Sequence, residues 1–161
     1  MNSNTTSVLC AQLATALQAR GWMLATAESC TGGMIAAACT DLSGSSNWFE
    51  RGFVSYSNAA KTELLGVDPA LIAQHGAVSE LVARAMAFGA VRRSQAQVSV
   101  AVTGVAGPTG GTPLKPVGLV WFGFQVNGQL SSETRTFAGD RAAVRAATVE
   151  YALQRLLDLL S

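Results

Sequence analysis

A chain of 161 residues with 49% hydrophobic and only 13% charged side chains is long and apolar enough for one domain with a true core, which excludes a disordered or fibrous protein. Eleven basic against ten acidic residues leave a formal charge of +1, so no broad field recruits DNA, RNA or anionic lipid, and neither nucleic acid nor a membrane is expected as a partner. The first cation is Arg20 and no long apolar run follows a basic start, so no secretory signal is read and a cytoplasmic protein is expected. The longest apolar stretches, such as Met34 to Cys39, fall far short of the roughly 20 residues that span a bilayer.

Taken in chain order, Leu9, Leu13, Ala16 and Leu17 recur at helical spacing, which predicts a helix over Thr5 to Arg20, capped by Thr5, Thr6 or Ser7 and ended by Gly21. Trp22 to Ala27 is a short apolar run suited to a buried strand, and Gly32-Gly33 opens an Ala-rich helical segment to about Leu42. The aromatic and β-branched residues of Trp48 to Tyr56 predict a second strand. Asn58 caps a short helix through Leu65, Asp68-Pro69 starts another, and Ser79 caps a third to about Arg93. Gln97 to Val102 reads as a buried strand, followed by a loop dense in Gly, Pro and Thr from Thr103 to Pro116. Val117 to Val126, Asn127-Gly128 and Gln129 to Phe137 have the pattern of a two-residue hairpin. A last helix follows Gly139-Asp140, with Ala143, Ala147, Tyr151, Leu153, Leu156 and Leu157 as its core face. A βαβ beginning joined to an antiparallel hairpin predicts a single α/β domain over residues 1–161, a mixed β-sheet covered by helices.

Three cysteines without CxxC spacing and one histidine, His75, give no zinc pattern, so no metal is expected. Cys10 and Cys39 read as buried thiols in helices. Ser29 lies where a strand gives way to a helix, followed by Thr31, Gly32 and Gly33, an arrangement that suits a nucleophile or an anion site; locally, Ser29 and Thr31 serve equally well as helix caps. His75 before Gly76 is a poor candidate base. Only two of the cations are lysines, and Lys61 closely follows Tyr56, so Ser29, Tyr56 and Lys61 form a candidate catalytic set. Its chemistry requires a lysine pKa well below the ordinary value, a Tyr56 that bonds the serine or relays its proton, and amides beside Gly32 and Gly33 that hold an oxyanion. The loop at Thr103, Gly104, Ala106 and Gly107 suits a phosphate or ribose, and Arg141 and Arg145, one helical turn apart, can meet one anion.

Ala27 to Gly33, Gly44-Ser45-Ser46, Tyr56-Ser57-Asn58 with Lys61, His75 to Ser79, Thr103-Gly104 with Ala106-Gly107-Pro108, and Gly139-Asp140-Arg141, in this order, closely resemble the CinA C-terminal domain family. That family includes stand-alone nicotinamide mononucleotide (NMN) deamidases. The resemblance implies hydrolysis of the NMN carboxamide to nicotinate mononucleotide and ammonia in pyridine nucleotide recycling, without metal or organic cofactor. It implies Ser29 as nucleophile with Lys61 and Tyr56 as its proton-transfer machinery. By the same resemblance Thr31, Gly32, Gly33, Ser46, Thr103, Gly104, Ala106 and Gly107 line the nucleotide pocket, and Arg141 or Arg145 meets the phosphate. A non-catalytic nucleotide sensor linked to competence or DNA damage is the alternative. Self-association into a homo-oligomer, most simply a dimer, is expected from the Ala, Leu and Val content.

Overall fold

Alternation along one central strand decides the architecture. Val98, Val100 and Val102 point to one side of β3 (Val98–Gly104) and join one apolar cluster, while Ala101 joins another and Ser99 donates its hydroxyl to the carbonyl of Ala87 on the opposite side. A strand buried on both faces needs a helical layer on each. In the computed structural model, which describes residues 3–161, both layers are present.

The sheet has five strands in the order β2-β1-β3-β4-β5, with β1 (Leu24–Glu28) parallel to both β2 (Phe49–Val54) and β3. β4 (Leu119–Val126) and β5 (Gln129–Thr136) add antiparallel, joined by Asn127 and Gly128 at φ 48° and 88°, both in the left-handed region that this tight turn demands. On one face lie α1 (Ser3–Arg20), α2 (Met34–Thr40) and α6 (Arg141–Leu159), over Leu24, the β3 valines, Phe122 and Phe124. On the other, α3 (Asn58–Leu65), α4 (Pro69–His75) and α5 (Glu80–Arg92) cover Ala25, Ala27 and Ala101. The small strand residues on this second face let α5 come close: at Gly123 an added Cβ would strike the Ala83 carbonyl oxygen.

The predicted mixed sheet and its hairpin are present, with shifts at the element ends. α1 already includes Ser3, so Thr5, Thr6 and Ser7 lie within its opening turns instead of capping it. Ser57 caps α3 by accepting from the Ala60 amide at 3.0 Å, one residue before the expected Asn58. Ser79 makes no side-chain cap and donates to the Gly76 carbonyl. Asp68 and Asp140 cap α4 and α6 as the sequence predicts. The buried stripe of α6 includes Val144, Thr148, Val149 and Ala152 besides Leu153 and Leu156, while Ala143 is exposed and Tyr151 sits at the margin against Phe122. Apolar residues occupy more than one face of that helix, so periodicity alone misplaces the stripe. Among the described residues no helix is long and apolar enough to cross a membrane.

Chain order and strand order together mark one place on the sheet. After β1 the chain turns through α2 to β2 on one side, and after β2 it crosses through three helices to β3 on the other. The carboxyl ends of β1 and β3 therefore flank the topological switch point, where open α/β sheets place their ligands.

Candidate active site

The Ser29 amide extends the β1–β3 ladder by donating to Val102 at 3.1 Å, after which the chain leaves the sheet through a turn that uses positive φ at Gly32 (59°) and Gly33 (108°). That turn is fixed by a residue the sequence reading passed over. Glu28, fully buried at the end of β1, accepts the Thr31 hydroxyl (2.6 Å) and the Ile35 amide (2.8 Å) on one oxygen and the Ala36 amide (3.0 Å) on the other. Its carboxylate thus satisfies the open N–H groups of α2 at the positive end of the helix. The readable signal is an acidic residue closing an otherwise apolar strand directly before a glycine turn and a helix without an acidic first turn. Across the turn, Arg145 of α6 donates to the carbonyls of Cys30 (3.1 Å) and Thr31 (3.2 Å). The Gly32 amide is spent on the Ser29 carbonyl at 3.1 Å, leaving the Thr31 and Gly33 amides without a protein acceptor among the described residues.

Lys61 enters from the first turn of α3. Its side chain is 1% exposed, and its Nζ lies 3.1 Å from Ser29 Oγ and 3.0 Å from the Tyr56 carbonyl oxygen, with no carboxylate in contact among the described residues. Burial holds the Lys61 pKa below the ordinary lysine value of 10.5, and the neighbouring Cys30 opposes this as the lesser effect. A carbonyl oxygen only accepts, so it takes an N–H from Lys61, which also donates to Ser29 Oγ; an amine that has lost its proton has a lone pair free to take the Ser29 hydroxyl proton. Tyr56 therefore meets the pair through its main chain; its side chain is 61% exposed, and no hydrogen bond joins its phenol to Ser29 or Lys61. The contact of Ser29 Oγ with the Tyr56 carbonyl, at 3.5 Å, is too long to compete. Burial also pushes the Cys30 thiol up to about 12, so the adjacent sulfur stays protonated.

Ser29, Cys30, Tyr56, Lys61, Thr103, Gly104, Ala106 and Arg141 line one cavity of about 220 Å³. Thr103 donates its hydroxyl to the Ala77 carbonyl at 2.9 Å, and Arg141 donates to the Gly107 carbonyl at 2.9 Å, tying the Gly/Pro loop to α6. Past Ala106 and Arg141 the cavity adjoins a second hollow of about 460 Å³ lined by Pro108, Val117 and Asp140. A hollow of about 400 Å³ between α3 and α4 shares Asn58 but contains neither serine nor lysine. Ser46 is not brought to the site. It lies in a 3-10 turn, Ser45–Asn47, just before β2, and the Leu24 to Phe49 pairing puts that turn at the opposite end of β1 from Ser29. His75 is outside the cavity, with its carbonyl capped by Lys115 Nζ at 2.6 Å. Cys10, Cys30 and Cys39 are free thiols, and no set of three metal-ligating side chains converges among the described residues.

The model of the CinA C-terminal domain matches residues 6–160. The chain belongs to the CinA C-terminal domain family. It is 52% identical over 150 residues to "Nicotinamide-nucleotide amidohydrolase PncC" of Enterobacter agglomerans, covering 92% of each chain, and 57% identical over 134 residues to the protein of that name from Pseudomonas putida, covering 83% and 84%. The crystal structure of the CinA superfamily protein ECK1530/EC0983 from Escherichia coli superposes with a TM-score of 0.94 at 40% identity, over 99% of this chain and 92% of that one.

For this CinA C-terminal domain the geometry sets two expectations. Truncating Glu28 to Ala strands two helix amides and a buried hydroxyl, and should cost about 3 kcal/mol, lowering the calorimetric melting temperature by about 6–12 °C; an unchanged melting temperature would remove Glu28 from its part in holding the turn. Replacing Lys61 by Met removes a desolvated amine and should raise stability by about 1 kcal/mol, or ~2–4 °C. The sign in pH follows from the lowered pKa: below the folded-state value both states carry the charge and the gain is complete. As pH rises past the folded-state value the folded lysine sheds its proton and the gain fades, reaching zero above 10.5 where the unfolded lysine is neutral too, so thermal melts of both proteins across pH provide the check.

Proposed function

We propose that this domain is a nicotinamide-nucleotide amidohydrolase that converts NMN and water to nicotinate mononucleotide and ammonia, with Ser29 as nucleophile and Lys61 as its base. The activity is supported by close relatives named for it; the observation that carries the mechanism is a buried lysine amine, without an anionic partner, 3.1 Å from a serine hydroxyl. The sensor alternative assigns no work to that pair.

In the proposed sequence of steps, Lys61 Nζ accepts the Ser29 proton as Oγ bonds to the carboxamide carbon, and the carbonyl electron pair moves onto oxygen. Amides of the Cys30 to Gly33 turn receive that oxyanion. As the C–N bond breaks, the Lys61 ammonium returns its proton to the departing nitrogen, which leaves as ammonia. Water then attacks the ester, giving a proton to Lys61, and Lys61 protonates Ser29 Oγ as the carboxylic acid leaves. The positive end of α2 is already occupied by Glu28, so the nucleotide phosphate is assigned to Arg141, which lines the cavity, and Arg145 to holding the nucleophile turn. The proposal includes a cytoplasmic homodimer, motivated by exposed Val8, Val54, Leu81 and Phe88; a monomer mass by light scattering at micromolar concentration would refute the dimer.

Purified protein should release ammonia from NMN, with turnover lost by about 10³-fold or more in Ser29→Ala and Lys61→Ala. Lys61→Arg should be equally inactive, since a guanidinium holds its proton. Activity should rise with pH through a single limb whose midpoint lies below 10.5, because the base works only when neutral. Arg141→Ala should raise KM for NMN while leaving the slower hydrolysis of nicotinamide riboside unaltered. Wild-type protein that binds NMN without releasing ammonia would sink the enzymatic reading.

A further inference from the structure

Three buried side-chain oxygens have no hydrogen-bond partner among the described residues: Thr26 Oγ1, Ser55 Oγ and Gln125 Oε1. Thr26 lies on the α2 side of β1, and Gln125 is on β4, two strands away. Of the three, Ser55 alone follows the end of β2 beside Ser29 at the end of β1. The β1–β2 ladder matches Ala27 with Phe53 and Glu28 with Val54, and the Ser55 amide continues it by donating to the Glu28 carbonyl at 2.9 Å. Neighbouring strands are about 4.8 Å apart, so Ser29 and Ser55 sit side by side where the two strands end.

Alternation settles the face. Ala27 and Phe53 belong to the cluster under α5, and Ser29 and Ser55, two residues further on, turn to that same side, from which α3 delivers Lys61. Val54, between them in sequence, is exposed and touches the α2 side at Gly33. Ser55 is completely buried, and a hydroxyl so placed without a partner is costly unless a partner arises during function.

When Lys61 becomes an ammonium it gains an N–H beyond those its two recorded acceptors take. It then has three N–H groups, and its two observed acceptors are the Tyr56 carbonyl and a Ser29 oxygen that has just bonded to carbon and accepts poorly. We infer that Ser55 is a positioning residue for Lys61, its Oγ accepting an N–H of the ammonium formed when Lys61 takes the Ser29 proton, an inference that rests on the Ser29–Lys61 reading above.

Other charges do not supply this acceptor. In the cavity Lys61 shares the wall with Cys30, Tyr56 and Arg141. Glu28 is turned to α2, and Arg145 is bound to the Cys30 and Thr31 carbonyls. Of the elements packed on α3, β2 carries Glu50 and Arg51, which pair with each other, and α5 carries Glu80 and Arg84, which both bond Ser132. Arg92 of α5 is exposed, Arg93 donates to the Glu63 carbonyl, and His75 of α4 lies outside the cavity.

The chain has two lysines, Lys61 and Lys115, so carbon-13 at lysine Cε gives two NMR signals that Lys61→Ala assigns. In Ser55→Ala the Lys61 titration midpoint and the acid limb of the kcat profile should both move down by about one pH unit, with kcat reduced about tenfold and KM for NMN unchanged. Ser55→Cys, which keeps the volume but is a weak acceptor, should move the same way. A merely structural Ser55 would act oppositely, since a loosened site admits water and raises the lysine midpoint. A midpoint unmoved or raised in folded Ser55→Ala and Ser55→Cys, with Lys61→Ala inactive, overturns this inference alone. Turnover that survives Lys61→Ala overturns the Ser29–Lys61 reading and this inference with it.

Discussion

A lysine amine held out of water with no carboxylate beside it is the constraint around which the rest of the site is arranged. Burying a cation is so unfavourable that the amine is driven toward its neutral form, and a neutral amine is a base. Keeping it there requires a short helix with fixed ends. α3 is held at its start by the Ser57 cap and stopped at its end by Gly66 in the left-handed conformation, so Lys61 on its first turn projects at one depth under the edge of the sheet. The Tyr56 carbonyl and Ser29 Oγ then both accept from the amine, which fixes it against the serine.

The same end of the sheet offers another electrostatic feature, the positive terminus of α2, and the protein fills it with its own Glu28 carboxylate. A free helix terminus following a glycine turn is an anion site by default. Occupied internally, it becomes a brace for the Ser29 turn, and in the proposed reading that turn carries the nucleophile while the substrate's phosphate is met farther along the cleft by Arg141. Two arginines one turn apart on α6 thereby have different work. Arg145 is half-buried and bound to two carbonyls of the turn, while Arg141 is exposed at the cavity wall.

What was legible in the sequence was whatever depends on local rules. Asn127-Gly128 specified the hairpin because few other residues tolerate its dihedral angles, and Asp68-Pro69 and Asp140 specified helix starts by cap chemistry. The nearness of Lys61 to Ser29 was legible only through the CinA resemblance and lysine's scarcity, since 32 positions separate them in the chain. Other features depended on three-dimensional placement and stayed hidden. Tyr56 offers a carbonyl that every residue has, so nothing in its type announces the contact. Glu28 leaves a signal, an acid closing an apolar strand, but its partners Ile35 and Ala36 come to it only when α2 folds over the strand end. Ser46 lies in a motif of the resemblance, yet a parallel β1–β2 pair puts the two ends of a βαβ unit on opposite edges, a consequence of topology that no local pattern carries.

The proposed choice of nucleophile between adjacent residues follows from the same desolvation. Cys30 is intrinsically the better nucleophile, but only as a thiolate, and the burial that lowers the Lys61 pKa also keeps the thiol protonated. An ion pair between them would help each to charge, as their mutual electrostatic effects have that sign, yet for both groups burial is the larger influence. Serine has no such requirement, because its proton can leave during attack and need not leave before it. A dry site therefore favours Ser29 over Cys30 on two grounds: the amine is hydrogen-bonded to the oxygen, and the proton transfer creates charge only in the transition state, where the turn amides and the acceptors around Lys61 are already in place.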